Sequence, residues 1–107
     1  MRRDVLILEG AERDIEDICR YIAESTGDRT ADKIRSALYE KCLSLETFAD
    51  RGNTPKELQV LGNSRFRELH HKPYRIVYRI DGPDVIVFCV LDGRRDIQSI
   101  LPIRLLR

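Results

Sequence analysis

A chain of 107 residues with 42% hydrophobic and 35% charged side chains has the size of one domain, residues 1–107, with a single core, and no apolar run long enough for a membrane span. Its net charge of +1 hides an asymmetry: residues 1–50 hold 8 basic and 12 acidic side chains, residues 51–107 hold 11 and 6. A basic second half suits either a polyanion or acidic segment docking there, or simple compensation between the halves. Three cysteines, Cys19, Cys42 and Cys89, each at an apolar position of a predicted element, fit reduced core thiols rather than a disulfide framework or zinc site.

Val5–Leu8 reads as a short first strand, and the acidic residues that follow it argue against a signal peptide and for a cytoplasmic protein. Ala11, Ile15, Ile18, Cys19 and Ile22 recur at helical spacing to about Ser25, with acidic residues early and Gly27 as the stop. Asp28 or Thr30 then caps a second helix with Ala31, Ile34, Leu38, Cys42, Leu45 and Phe48 inward. The short link makes the two an antiparallel helical hairpin. Residues from Asp50 to Asn63 read as a loop anchored by Leu58, Val60 and Leu61.

Arg65–His71 is the next strand, with Phe66 and Leu69 three apart, so a bulge or a weakly specified edge is expected. Tyr74, Ile76, Tyr78 and Ile80 alternate with Arg75, Val77 and Arg79, the period of a half-buried strand. Gly82-Pro83 turns the chain into Val85–Leu91, apolar at every position and so covered on both faces. Beyond the turn carrying Arg94 and Arg95, Ile97, Ile100 and Leu101 make one helical turn before Pro102. Ile103, Leu105 and Leu106 follow, an apolar tail that either packs back or meets a partner.

The predicted architecture is α+β, in the order β-α-α-β-β-β, with the helical hairpin on one face of a small antiparallel sheet. The opposite face is expected to lie open and to carry Arg75 and Arg79. Arginines there suit phosphate or carboxylate, although a lone strand arginine more often pairs with a neighbouring carboxylate such as Glu68 or Asp96. His70 and His71 point to opposite faces with no third histidine in the chain, so no metal site is expected. Asp92 and Asp96 read as salt-bridge or turn-capping residues. There is no glycine-rich phosphate loop, no nucleophile elbow and no cofactor motif.

Four segments, Ala11-x-x-Asp14-Ile15-x-x-Ile18-x-x-Tyr21-Ile22, Phe66-Arg67-Glu68-Leu69, Tyr74-Arg75-Ile76-Val77-Tyr78-Arg79 and Gly93-Arg94-Arg95-Asp96, resemble in order the RelE/ParE superfamily of bacterial type II toxins. The resemblance implies the fold just described and two mechanisms. RelE-like members are ribosome-dependent mRNA endoribonucleases that use basic residues and usually a C-terminal tyrosine. ParE-like members lack that set and inhibit DNA gyrase.

Transferred by position, the RelE-like arginines fall on Arg75 and Arg95, the tyrosine on Leu101 or a neighbour, and a lysine on Glu68, with its charge reversed. Arginines without a proton acceptor and donor hold a phosphate rather than cleave beside it. The resemblance therefore implies a non-enzymatic ParE-like toxin of the plasmid-stabilization type, with Arg75, Arg79, Arg94 and Arg95 as target- or phosphate-binding residues. Its partners would be gyrase and a cognate antitoxin with a DNA-binding domain, docking at Ile103, Leu105 and Leu106. The alternative is the nuclease acting on the ribosome, with Arg75, Arg95, Glu68 and His70 as its catalytic set.

Overall fold

The computed structural model describes residues 2–62 and 65–106. Strand β1 (Asp4–Ile7) leads into helices α1 (Glu9–Ser25) and α2 (Asp28–Phe48). A 3₁₀ turn (Ala49–Arg51) and the four-residue helix α3 (Lys56–Gln59) follow, then β2 (Phe66–His71), β3 (Tyr74–Asp81), β4 (Asp84–Asp92) and α4 (Ile97–Leu105). Asn63, the expected end of the loop before β2, lies outside the described residues.

The sheet runs β1-β4-β3-β2. Its two hairpins are antiparallel as expected, but β1 lies parallel to β4, with Val5 opposite Val85 and Ile7 opposite Val87, so the sheet is mixed rather than wholly antiparallel. Alternation gives a strand's faces and not its direction, which is why the pattern of Val5–Leu8 did not reveal this. The helical hairpin covers one face with Ala11, Ile15, Cys19, Leu38, Cys42 and Leu45, packed on Tyr74, Ile76, Tyr78, Val85 and Val87.

The other face is not open. Leu58 of α3 with Ile97 and Leu101 of α4 cover Phe66, Val77, Cys89 and Leu91 in a second buried cluster. Central strand β4 thus has both faces covered, as its unbroken apolar run requires. Phe66 and Leu69 sit on opposite faces of β2, 5% and 8% exposed, because both faces are packed. Their spacing marks two cores and not a bulge. The bulge lies in β4, where Val77 pairs with Cys89 and Tyr78 with Val87, leaving Phe88 as the extra residue.

Strand β2 is an edge strand, and Asn53 shields part of it by exchanging both backbone hydrogen bonds with Glu68, at 3.3 and 2.7 Å. Helix α4 continues past the expected single turn, because Pro102 is tolerated within it. The amide that proline removes would have met the carbonyl of Gln98, an exposed residue whose carbonyl water can satisfy. Leu58 anchors as expected, but Val60 and Leu61 point outward. No described helix is long and apolar enough to cross a membrane.

Candidate functional site

Arg75 lies on the sheet face covered by α3 and α4, between carboxylates from two elements. Its Nη1 and Nη2 donate to Glu57 Oε2 and Oε1 at 2.9 and 2.7 Å, and its Nε donates to Glu68 Oε1 at 2.6 Å. The three side chains are 13%, 9% and 4% exposed. The Glu57 hydrogen bonds chiefly hold the Arg75 guanidinium well above its ordinary range, and Arg75 in turn holds the Glu57 carboxyl below the usual carboxylate range. Glu68 Oε2 also accepts from Asn53 Nδ2 at 3.0 Å and lies 3.2 Å from His70 Nε2.

Gly93 closes over the stem of Arg75. A Cβ there would sit 2.9 Å from the Pro73 carbonyl oxygen and 3.1 Å from Arg75 Cδ, so only glycine passes without displacing them. The expectation that Arg75 lies on an open face is therefore overturned, whereas the pairing of Arg75 with Glu68 weighed against a binding role is present. Its charge is matched within the fold, because α3 brings Glu57 from a stretch whose sequence reads only as loop.

The other predicted cations are not gathered around it. Arg79 is on the same face but lies over the rings of Phe88 and Phe66, 5.2 and 5.8 Å from their centroids, with Asp81 at 3.6 Å. Arg94 is chelated by Asp92 at 2.9 and 2.7 Å, which depresses the Asp92 carboxyl. Arg95 is exposed and outside every ion pair of the described residues. It lines a groove of about 600 Å³ together with Lys56, Glu57, Val60, Arg75 and Pro102.

The groove is lined by no tyrosine or histidine; its ionisable side chains are Lys56, Glu57, Arg75, Arg95 and Asp96. Leu101 is fully buried in the second core. Tyr78 is locked in the first core, its hydroxyl donating to the Ala49 carbonyl and accepting from Gly52 N–H, while Tyr21 and Tyr74 line a second cavity that Arg94 and Arg95 also border. His70 stands at the exposed rim beside Glu68, and His71 points to the opposite face. Burial pushes the Cys42 and Cys89 thiols up to about 12, which makes them inert packing groups. The described residues contain no cluster suited to a metal ion.

The tail is split. Leu105 turns toward the second core, whereas Ile103 and Leu106 are 60% and 85% exposed. Val60 and Leu61, at the end of α3, are exposed too. Between these outward residues Arg104 reaches back to α1 and donates to both oxygens of Asp14, at 2.9 and 2.8 Å. Asp14 also accepts from the Val90 amide at 2.9 Å, where β4, still paired with β3, has run beyond the end of β1 on its other side.

Asp14 and Arg104 escaped the sequence reading of the site. The available signal was an acid on the inward stripe of α1, three residues after Ala11 and four before Ile18.

The model of the family described as the ParE toxin of the type II toxin-antitoxin system parDE matches residues 5–97. Toxin ParE3 of Caulobacter vibrioides is 25% identical over 86 residues, 80% of this chain and 82% of that protein. Among solved structures, the chromosomal ParDE toxin-antitoxin system from P. aeruginosa superposes with a TM-score of 0.71 at 18% identity, covering 83% of this chain and 94% of that one. The toxin-antitoxin complex RelBE2 from Mycobacterium tuberculosis gives 0.62 at 21% identity, covering 86% and 92%.

Proposed function

The chain belongs to the ParE toxin family of type II toxin-antitoxin systems, and from that premise we propose that it acts in the cytoplasm as a non-enzymatic inhibitor of DNA gyrase, silenced by a cognate antitoxin and serving plasmid stabilization. The observation that carries the non-enzymatic reading is the clamp on Arg75. Arg75, onto which the resemblance transfers a phosphate-holding arginine, is satisfied by Glu57 and Glu68, and the groove beside it is lined by no tyrosine. A substrate phosphate would have to displace a bidentate carboxylate before any chemistry began.

The antitoxin reading rests on the exposed apolar side chains Ile103, Leu106, Val60 and Leu61. Solvent-facing side chains of this size suit a segment that orders on the toxin. The solved relatives with this fold are described as a toxin-antitoxin system and a toxin-antitoxin complex, which supports an antitoxin as the occupant.

Two assays on the purified toxin, gyrase supercoiling of plasmid DNA and mRNA cleavage on translating ribosomes, test the proposal. Supercoiling inhibition with intact mRNA is the expected result. Ribosome-dependent cleavage abolished by Arg95→Ala, with gyrase unaffected, overturns it in favour of the RelE-like nuclease.

A further inference from the structure

We propose that the side of α2 facing the end of β2 is a track for the backbone of duplex DNA, a choice of polyanion that rests on the gyrase reading above. Two hollows of about 630 and 480 Å³ meet at Ala37 and Glu40 and make one trough along the helix. Arg29 and Lys33 line its first half, and Lys41, Arg51 and His71 its second. Arg29, Lys33, Ala37 and Lys41 recur every four residues and so fall along one side of α2. The trough lies on the helical-hairpin side of the sheet, away from the Arg75 groove under α3 and α4.

What sets this surface apart is that its cations are unmatched. Elsewhere arginines sit on carboxylates, Arg13 on Glu9, Arg20 on Asp17, Arg94 on Asp92 and Arg104 on Asp14. Arg29, Lys33, Lys41 and Arg51 enter no ion pair among the described residues. The compensation that absorbs the charges of α1 therefore does not reach this side of α2. Of the two acids lining the trough, Asp32 accepts from Arg35 Nη1 at 2.8 Å, which leaves Glu40. Arg51 is positioned without being neutralised: it donates to Ser44 Oγ at 2.6 Å and its guanidinium lies 5.5 Å from the centroid of the Phe48 ring. From Arg29 to Lys41 the helix rises about 18 Å, the axial length of roughly five phosphates on one strand of B-DNA. The lining has no tyrosine, phenylalanine or tryptophan on which bases could stack, so a duplex backbone fits it better than a single strand. Contacts of this kind are independent of base sequence.

The test is fluorescence anisotropy of a labelled duplex of about 20 base pairs titrated with the purified toxin between about 50 and 200 mM salt, beside a single-stranded RNA of equal length. The expected result is duplex binding whose logarithm falls with that of salt at a slope of roughly −3, the signature of three to four neutralised phosphates. Lys33→Gln with Lys41→Gln is expected to weaken binding about tenfold and to flatten that slope by about 2, whereas Glu40→Gln tightens it. Arg20→Gln, which removes an exposed and already paired cation from α1, leaves binding unchanged. No salt-dependent binding overturns the proposal, as does an equal loss in Arg20→Gln or tighter binding of the RNA. Supercoiling inhibition by a toxin that does not bind the duplex sinks this inference and spares the gyrase reading. Duplex binding through the track without supercoiling inhibition does the reverse.

Discussion

Removing the Arg75 guanidinium leaves two carboxylates facing each other, 9% and 4% exposed, with their common cation gone. An uncompensated buried charge of this kind costs roughly 3 kcal/mol, so Arg75→Ala is expected to lower the urea midpoint strongly, whatever it does to toxicity. The same pair fixes a pH dependence. Arg75 depresses the Glu57 carboxyl in the folded protein, so that contribution to stability is complete above the unfolded carboxylate value of about 4.3 and is lost as pH falls through the lower folded value. Glu57→Gln is therefore expected to flatten the acid limb of a stability–pH curve. In the other core, the Tyr78 hydroxyl serves both Ala49 and Gly52, and a Cβ on Gly52 would approach it to 2.2 Å. Tyr78→Phe strands two buried backbone groups at a cost of about 2 kcal/mol, and Gly52→Ala is expected to cost at least as much by overpacking, both measurable by chemical denaturation.

Helix α4 is tied to α1 by Arg104 and Asp14 as well as to the second core by Ile97 and Leu101. Asp14 both receives Arg104 and terminates the free edge of β4 at Val90, so Asp14→Ala is expected to speed hydrogen exchange at the Val90 amide and throughout α4, at about 2 kcal/mol. Asp14→Asn keeps an acceptor for Val90 but loses the charge, and should release α4 alone. These elements also mark what the sequence could reveal. The three- and four-residue spacing in α1 and α2 specified those helices, because each buries one face, and alternation in β3 marked the side that meets them through Tyr74, Ile76 and Tyr78. Pro102 reads as a helix stop, and only the solvent position of its missing hydrogen bond allows α4 to pass it. The direction of β1 and the reach of Glu57 from α3 are tertiary facts, with no periodicity to betray them.

At the scale of the whole molecule the exposed apolar residues are the testable surface. Ile103→Asp and Leu106→Asp alter side chains 60% and 85% exposed, so the toxin is expected to stay folded. If they anchor the antitoxin, each weakens the complex by about 2 kcal/mol, readable by titration of the antitoxin onto the variants. A tail too hydrophobic for a free end was legible in the sequence, whereas the inward turn of Leu105 and the staple through Arg104 were not. Those depend on which side of α4 meets the second core.

The parallel pairing of β1 with β4 also makes closure of the sheet wait on synthesis. Residues 4 to 7 wait for residues 84 to 87, and Asp14 waits for Arg104. At ordinary translation rates that interval is on the order of ten seconds, during which the emerging chain cannot complete its sheet. The fold can therefore close only after residue 104 has been made, so nearly the whole chain precedes completion of its sheet and of the α1–α4 contact.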